Sequence, residues 1–586
     1  MTESTAPRPF EPAFGPQALE VLEARYLLRD DAGRVRETPA ELLWRVARAV
    51  AAAEARYGDD PLGWAERFYR LLARLEFLPN SPTLMNAGRP GGQLSACFVL
   101  PVEDDLEAIF ETVKHAALIH QTGGGTGFSF SRLRPRGAPL RERGRAAGPV
   151  AFLRVFEAAT AAVQQGGVRR GANMGVLRVD HPDIFDFIDA KREPGALSHF
   201  NLSVAATDAF MQARATGASF SLVDPRSGES VRRVDAQALW RALVDAAWAT
   251  GDPGLVFIDR INAANPTPAL GAIEGTNPCA EQPLLPYESC NLGSIDVSKH
   301  LCDGDLDWEK LRGTVRVAVR FLDDVIDVNS FPLRAIAERT RATRKVGLGV
   351  MGWADALIEL GIPYASEEAL SLADELGAFV LTEARAASRE LAARRGPFPA
   401  WPESRWAREG LEGPLRNATL TTVAPTGTIS LLAGCSSGIE PLFAIAYLRR
   451  ALDGKVEFRS VHPAFEREAR ALGVWSEELS ERILRQGHLS PTDPLQLRRR
   501  FQTAHEIPPE WHVRVQAAFQ RHVESAVSKT VNLPAEATTD DVERAYLLAY
   551  ELGCKGITVY RDGTRAGQVL RVEGAGPTCG TAGCSL

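Results

Sequence analysis

The sequence is short of several things, and each shortage removes a class of function. A membrane-crossing helix needs about 20 apolar residues free of charge, and none is present; the apolar run at 346–362 is interrupted by Gly, Trp and Asp. The opening MTESTAPRPFEPAFGPQ has no apolar stretch behind a basic start, so no signal peptide is expected and the protein is read as cytoplasmic. A basic balance is missing as well. With 67 Lys and Arg against 74 Asp and Glu, the formal charge is -7, which argues against nucleic acid as a partner but leaves room for one local cationic pocket. No Cys-x-x-Cys occurs, and the ten histidines stand in no ligand-like spacing with cysteines, so no metal site is predicted. Repeats of solenoid length are absent. The eight cysteines are at positions 97, 279, 290, 302, 435, 554, 579 and 584. Without a secretion signal they are not read as a disulfide framework. What remains is buried inert thiols, redox-active thiols, or both.

What is present is globular material, 45% apolar and 24% charged over 586 residues, enough for one large core or several smaller ones. Thr38-Pro39-Ala40-Glu41 is a capping box with proline at the first helical position. It predicts the first helix, carried by Leu42, Leu43, Val46, Ala47 and Val50, with a second amphipathic helix ending near Leu75. From Phe77 the pattern changes. Short apolar or β-branched runs at 97–101, 128–130, 202–204, 419–423 and 556–560 alternate with helical stretches at 105–121, 149–165, 235–250 and 538–552. That alternation predicts an α/β body rich in parallel sheet. Glycine clusters at 123–127 and 166–167, and the turn Pro425-Thr426-Gly427-Thr428, predict tight turns where backbone comes close to something. Three parts are therefore expected: a helical region at 1–76, the α/β body at 77–562, and a tail at 563–586. The tail is rich in Gly and small residues and reads as a mobile arm.

Two cysteines, Cys579 and Cys584, close that arm. An unpacked end gives thiols no packing role. They read either as accidental surface thiols or as a dithiol that reduces a disulfide elsewhere by exchange. In Asn277-Pro278-Cys279-Ala280-Glu281, Asn-Pro forces irregular backbone, which predicts Cys279 on a loop tip. A carboxylate two residues on suits a general base. Its charge would raise a thiol pKa, which points away from a simple nucleophile and towards a sulfur that carries a hydrogen atom.

Several further segments fall in a recognisable order: Leu78-Pro79-Asn80-Ser81-Pro82-Thr83-Leu84-Met85-Asn86-Ala87-Gly88, the cluster at 123–127, the run from Gln165 to Gly175, Ser289-Cys290-Asn291-Leu292-Gly293-Ser294, and the run from Ala424 to Ser430. With the Cys279 motif and the terminal Cys-x-x-x-x-Cys, the chain resembles the catalytic chain of ribonucleotide reductases, most closely the adenosylcobalamin-dependent class II enzymes. The resemblance implies a ten-stranded α/β barrel, the type shared with glycyl radical enzymes, with a central finger loop and a small N-terminal helical region. It implies that Cys279 becomes a thiyl radical, that Glu281 acts on the substrate's 3′-hydroxyl with Asn277 beside it, and that Cys97 and Cys290 form the reducing dithiol. Cys579 and Cys584 would then reduce the resulting disulfide and pass the oxidation to thioredoxin or a similar reductant. Cys302, Cys435 and Cys554 are left as structural.

The same resemblance assigns Ser81, Ala96 and Gly125 to the ribonucleotide site, and Pro425, Thr426, Gly427, Thr428 and Ile429 to the turn that binds its phosphates. That turn lacks the lysine of a P-loop. Asp104, Arg134 and Arg141 fall where a dNTP or ATP specificity effector binds, at the interface of a homodimer. The segment from Gly553 to Gly563 has one tyrosine, Tyr560, and no Tyr-Tyr pair, unlike class I chains that need a separate radical-generating subunit. No Asp-x-His-x-x-Gly motif is present, so adenosylcobalamin rests on the resemblance. The expected reaction is reduction of ribonucleotides, as diphosphates, to 2′-deoxyribonucleotides for DNA synthesis. The alternatives are a class I catalytic chain or a non-catalytic, thiol-regulated nucleotide-binding protein.

Overall fold

Thr38 caps its helix as the sequence predicts: its hydroxyl accepts the Glu41 N–H, and the Glu41 carboxylate accepts the Thr38 N–H at 2.8 Å. The computed structural model describes residues 10–140, 144–165, 169–410, 413–451, 456–564 and 570–571. Helix Pro39–Ala51 buries Leu42, Leu43, Val46 and Val50, and pairs with helix Pro61–Ala73. An earlier helix, Pro16–Arg25, was not predicted, because only Ala18 and Leu22 of its residues are buried and its apolar stripe is thin. These helices share one core with the body. Phe321, on the long helix Trp308–Val328, meets Phe68 edge-on at 5.1 Å and Phe77 at 5.6 Å.

The junction is also tied by buried charge. Arg395, with a fully buried side chain, reaches Glu54 at 2.6 Å, Asp324 at 2.6 Å and Asp323 at 3.1 Å. Tyr57 donates its hydroxyl to Asp327 at 2.6 Å and accepts from Arg416 at 2.7 Å. Burial alone would raise the Glu54 carboxyl, but the guanidinium of Arg320 bonded to it and the charge of Arg395 hold it down at about 2. Such a network is costly to desolvate and strongly destabilising to break on one side.

Ten strands hydrogen-bond into one sheet: β1 (Phe77–Pro79), β2 (Cys97–Leu100), β3 (Gly125–Ser129), β4 (Asn173–Arg178), β5 (Phe200–Ala206), β6 (Gly254–Phe257), β7 (Ser289–Asp296), β8 (Val346–Met351), β9 (Thr530–Leu533) and β10 (Gly556–Arg561). Strands β2 to β6 run parallel in sequence order. Strands β7 and β8 are parallel, as are β9 and β10. The two sets meet antiparallel where β2 faces β7 and where β6 faces β10. Segment 421–423 closes the ring, bridging Leu348 to Thr421 and Val423 to Val527 in parallel. With β1 outside on β7, the barrel has ten staves, β2 to β10 plus that segment, as expected.

Two local readings change. Residues 419–423 form a stave by isolated bridges rather than a regular strand, because the side-chain hydroxyl of Thr422 and the N–H of Val423 are both directed to the Ala526 carbonyl. The glycine cluster at 123–127 makes the expected turn only at its start, where Gly123 takes a φ of +90°, and then opens into strand β3, for a reason that lies in the active site. The segment 166–168 is outside the described residues, as is most of the tail; Leu570 and Arg571 pair with strand Ala446–Ala451. No helix among the described residues is long and apolar enough to cross a membrane.

Candidate active site

A short antiparallel hairpin, Gly275–Thr276 against Pro283–Leu284, carries residues 277–282 at its tip. Asn277 closes that tip on itself. Its side-chain oxygen accepts the Gln282 N–H at 2.9 Å, its own N–H donates to the Gln282 carbonyl at 3.2 Å, and its carbonyl accepts the Ala280 N–H at 3.0 Å. The turn takes Ala280 to a φ of +64°, so Cys279 sits half-buried on a tightly held tip.

Glycines admit this finger to the barrel. A Cβ on Gly127 would fall inside the carbonyl of Thr276, and one on Gly125 would lie 2.9 Å from Pro278 Cγ. Their place in β3 is therefore a close-approach requirement rather than a turn requirement. On the far side the Glu281 carbonyl accepts the Ala526 N–H at 2.9 Å and the Thr422 hydroxyl at 3.0 Å. The Pro278 carbonyl accepts from Asn201 Nδ2 at 2.9 Å.

One face of the finger meets two cysteines. Cys97 and Cys290 lie directly opposite each other across the antiparallel β2–β7 pair. Facing residues there have Cβ atoms about 4.5–5.5 Å apart, against roughly 3.5–4.5 Å in a disulfide, so a small shift would join them. Asn277 Nδ2 donates to Cys97 Sγ at 3.1 Å, and Cys97 Sγ lies 4.0 Å from Glu281 Oε1. Cys290 is fully enclosed, its sulfur near the carbonyls of Asn291 at 3.5 Å and Lys345 at 3.8 Å. Burial pushes its thiol well up, partly opposed by the Lys345 ammonium. The pair is thus asymmetric: Cys97 faces the carboxylate, and Cys290 faces the barrel wall.

The other face of the tip opens on a separate cavity. Pro278, Cys279 and Ala280 line it together with glycines 251, 254 and 556 and with the polar side chains of Asn201, Ser203, Gln516, Ser528, Lys529, Thr530 and Thr558. Cys97, Cys290 and Glu281 are not among its lining residues. Cys279 lines this cavity, while Asn277 and Glu281 of the same tip meet Cys97.

The remaining predicted residues gather around the dithiol side. Ala96 links β7 to β3, donating to the Cys290 carbonyl at 3.3 Å and accepting the Gly125 N–H at 2.8 Å. Ala424 packs with Cys97, Cys290 and Leu292, and the turn expected at 425–429 passes at once into helix Gly427–Ala433. Thr426 adopts a φ of +53° and its hydroxyl accepts the Gly438 N–H at 2.7 Å. Pro425, Gly427 and Thr428 are half-exposed, whereas Ile429 is buried in the core that also holds Tyr26 and Leu84. Ser81 accepts a hydrogen bond from Tyr26 at 2.8 Å.

Asp104 and Arg134 are also brought together, bonded to each other through Nε at 2.8 Å and through the Arg134 N–H at 3.1 Å. Arg141, Cys579 and Cys584 lie outside the described residues. Of the three cysteines read as structural, burial pushes Cys554 up to about 12 and Cys435 well up, but Cys302 is exposed on a small hairpin.

A barrel behind a helical N-terminal region is also what comparison with known proteins returns. The family model described as "Ribonucleotide reductase, barrel domain" matches residues 95–560, and "Ribonucleotide reductase, all-alpha domain" matches 12–92. The chain belongs to the ribonucleotide reductase family. A vitamin B12-dependent ribonucleoside-diphosphate reductase of Mycobacterium tuberculosis is 55% identical over 558 residues, covering 94% of this chain and 80% of that one. The Thermoplasma acidophilum protein of the same name is 48% identical, covering 94% and 79%. The class Id ribonucleotide reductase alpha subunit of Actinobacillus ureae has the same fold, with a TM-score of 0.76 at 24% identity, over 94% of this chain and 97% of that one.

Sequence reasoning missed the cavity on the far side of this reductase finger. Asn201 and Ser203, Gln516, and Lys529 come from three distant segments that only barrel closure brings together. One signal was available: His512, Gln516 and Gln520 recur every fourth residue on helix Pro509–Gln520, and all three are buried. A polar stripe facing inward on a helix has to meet something polar.

Proposed function

We propose that the chain reduces ribonucleoside diphosphates to 2′-deoxyribonucleotides with adenosylcobalamin as cofactor and without a separate radical-generating subunit. Relatives named for vitamin B12 dependence at 55% and 48% identity support this. The observation that carries the site assignment is the finger tip at 277–282, which brings Asn277 and Glu281 to Cys97, itself opposite Cys290, and carries Cys279 between them in sequence. A cofactor reaching Cys279 from this side would pass Asn201, Ser203 and Thr558, in a cavity of about 40 Å³ that Asp252 also borders. Bound on that side, adenosylcobalamin supplies a carbon radical by homolysis of its cobalt–carbon bond.

The chain's own residues then divide the work. Cys279, as a thiyl radical, removes the hydrogen atom from C3′. Glu281 takes the proton of the 3′-hydroxyl while Asn277 orients the same part of the sugar. The 2′-hydroxyl leaves as water, with its proton from Cys97. Cys97 and Cys290 give up two electrons and close into a disulfide, and Cys279 returns its hydrogen to C3′. The sum is ribonucleotide plus two thiols to deoxyribonucleotide, water and one disulfide. Cys579 and Cys584 would reopen that disulfide by exchange and hand the oxidation to thioredoxin or a similar reductant. Ser81, Ala96, Gly125 and the 425–429 turn would hold the substrate, its phosphates on backbone N–H groups.

Asp104, Arg134 and Arg141 are assigned to a dNTP or ATP specificity site in a homodimer. Helix Leu106–Gln121, which follows Asp104, supports this by exposing Leu106 (62%) and Phe110 (52%) on one face. The three-part division at 76 and 562 belongs to the same proposal. Cys279→Ser is the direct test: turnover should vanish while ribonucleotide binding stays within about two-fold. Unchanged turnover would remove Cys279 from the chemistry.

A further inference from the structure

Among the described residues two lysines are buried, Lys345 at 1% exposure and Lys529 at 3%, and they are used differently. The Lys529 ammonium is bonded to Glu440, to His512 Nδ1 and to the Thr530 carbonyl. Lys345 Nζ has a single acceptor among the described residues, Glu288 Oε2 at 2.7 Å. Glu288 is well supplied in turn: Oε2 also accepts the Leu285 N–H at 2.7 Å, and Oε1 accepts the Thr343 hydroxyl at 2.9 Å. An ammonium carries three hydrogens, so Lys345 has two to spare. The cavity of about 10 Å³ that Lys345 shares with Pro283, Thr419 and Glu524 has room for one water at most. That leaves at least one hydrogen of a buried cation without an acceptor.

The pairing of β7 with β8 brings this cation to the dithiol. Asn291 stands beside Val346 in that parallel pair, so Cys290 comes next to Lys345, whose carbonyl lies 3.8 Å from Cys290 Sγ. Side chains alternate along a strand and point the same way at one rung of a sheet. Glu288, Cys290 and Lys345 therefore share one side of the sheet. The Cys290 sulfur has carbonyl oxygens close by, from Asn291 at 3.5 Å and from Lys345, which suit a thiol hydrogen and oppose a thiolate. Burial pushes the Cys290 thiol well up, and the Lys345 ammonium is the strongest pull in the other direction. Cys97 differs. Its sulfur meets the finger tip, taking a hydrogen bond from Asn277 Nδ2 at 3.1 Å, but a thiolate there would stand 4.0 Å from Glu281 Oε1, a like charge.

We infer that Lys345 serves the regeneration of the dithiol, stabilising Cys290 as the sulfur released when an incoming thiolate attacks Cys97. This rests on the dithiol assignment proposed above. The attacking sulfur bonds to Cys97 as the Cys97–Cys290 bond breaks, and the electron pair of that bond goes to Cys290. Cys290 then takes up the proton that the attacking thiol lost, so one disulfide is exchanged for another. For the test, the full-length protein carries Cys579→Ser and Cys584→Ser, which leaves no tail thiol to compete. It is oxidised with diamide and then treated with 2-mercaptoethanol. Acid quenching and peptide mapping should find the mercaptoethanol adduct on Cys97; an adduct on Cys290 would overturn the inference. Lys345→Met combined with Glu288→Gln removes the cation without leaving a buried carboxylate unpaired. The pair of changes should slow the reduction roughly three- to ten-fold, the span for a leaving thiol whose pKa rises by about one unit. The equilibrium with dithiothreitol at pH 7 should stay within about two-fold, because the reduced pair is neutral with or without Lys345. An unchanged rate would mean that the cation does not act on Cys290. Rate and equilibrium moving together would make Lys345 a brace between the two strands. Either result overturns the inference. If diamide forms no Cys97–Cys290 disulfide in the protein with Lys345 intact, the dithiol assignment itself fails and takes the inference with it.

Discussion

At the scale of single residues, the chain carries buried polar groups whose ionisation is costly. Asp296, at the end of β7, is fully buried; desolvation, and secondarily the charge of Asp355, push its carboxyl up to about 6, against the bonds it accepts from Ser298. A carboxyl whose folded pKa is raised favours the folded state most when protonated. Its contribution is therefore present at low pH and lost as pH climbs from about 4 through about 6. Asp296→Asn keeps the acceptor for Ser298 and removes the charge. The variant should gain on the parent as pH rises, by up to about 3 kcal/mol at pH 7.5, in urea midpoints measured from pH 4.5 to 7.5. A gap that does not widen with pH would mean that Asp296 ionises freely.

At the scale of elements, the finger and β3 are one unit, because the finger lies where side chains on β3 would otherwise be. Gly127→Ala should displace the Thr276 carbonyl and cost roughly 3 kcal/mol, the upper range for overpacking. The loss should appear as a lower urea midpoint together with faster hydrogen exchange at 275–284. Exchange unchanged in that segment would show that the finger tolerates the intrusion.

The sequence-level reading of this region was right about irregular backbone at Asn277-Pro278 and about close approach at the glycines at 123–127, but gave to the whole cluster a turn that only Gly123 makes. A glycine needed for a turn and a glycine needed for close approach look the same until the approaching chain is known. The α/β body was legible from its alternating strands and helices, since Leu202, Val204 and their neighbours bury local, periodic surface, whereas the ten-stave barrel followed only from the family resemblance. The closing stave at 421–423 was not, because it is made of bridges to Leu348 and Val527 and has no pattern of its own. The Cys97–Glu281 approach and the cavity wall were hidden for the same reason: each joins segments far apart in the chain. The motif order found the residues, and only the register of β2 on β7 brings Cys97 opposite Cys290.

At the scale of the whole molecule, the helical N-terminal region is bound to the barrel by shared aromatic packing and by the Glu54, Arg395 and Asp323 network, so it is read as part of the folding unit. The homodimer proposed above would seat its second copy on the exposed apolar face of helix Leu106–Gln121. Phe110→Glu should shift the protein from dimer to monomer in sedimentation velocity at micromolar concentration, with the far-UV spectrum unchanged. A dimer of undiminished stability would move the interface elsewhere.

The central claim is that this one chain needs only adenosylcobalamin to start its radical chemistry. It is tested most directly by incubating the purified full-length protein, free of any other subunit, with adenosylcobalamin, dithiothreitol and CDP under anaerobic conditions and measuring dCDP. The account predicts multiple turnovers that require the cofactor and are absent in Cys279→Ser. No dCDP from the chain alone, with product appearing only when a radical-generating subunit is added, would contradict it.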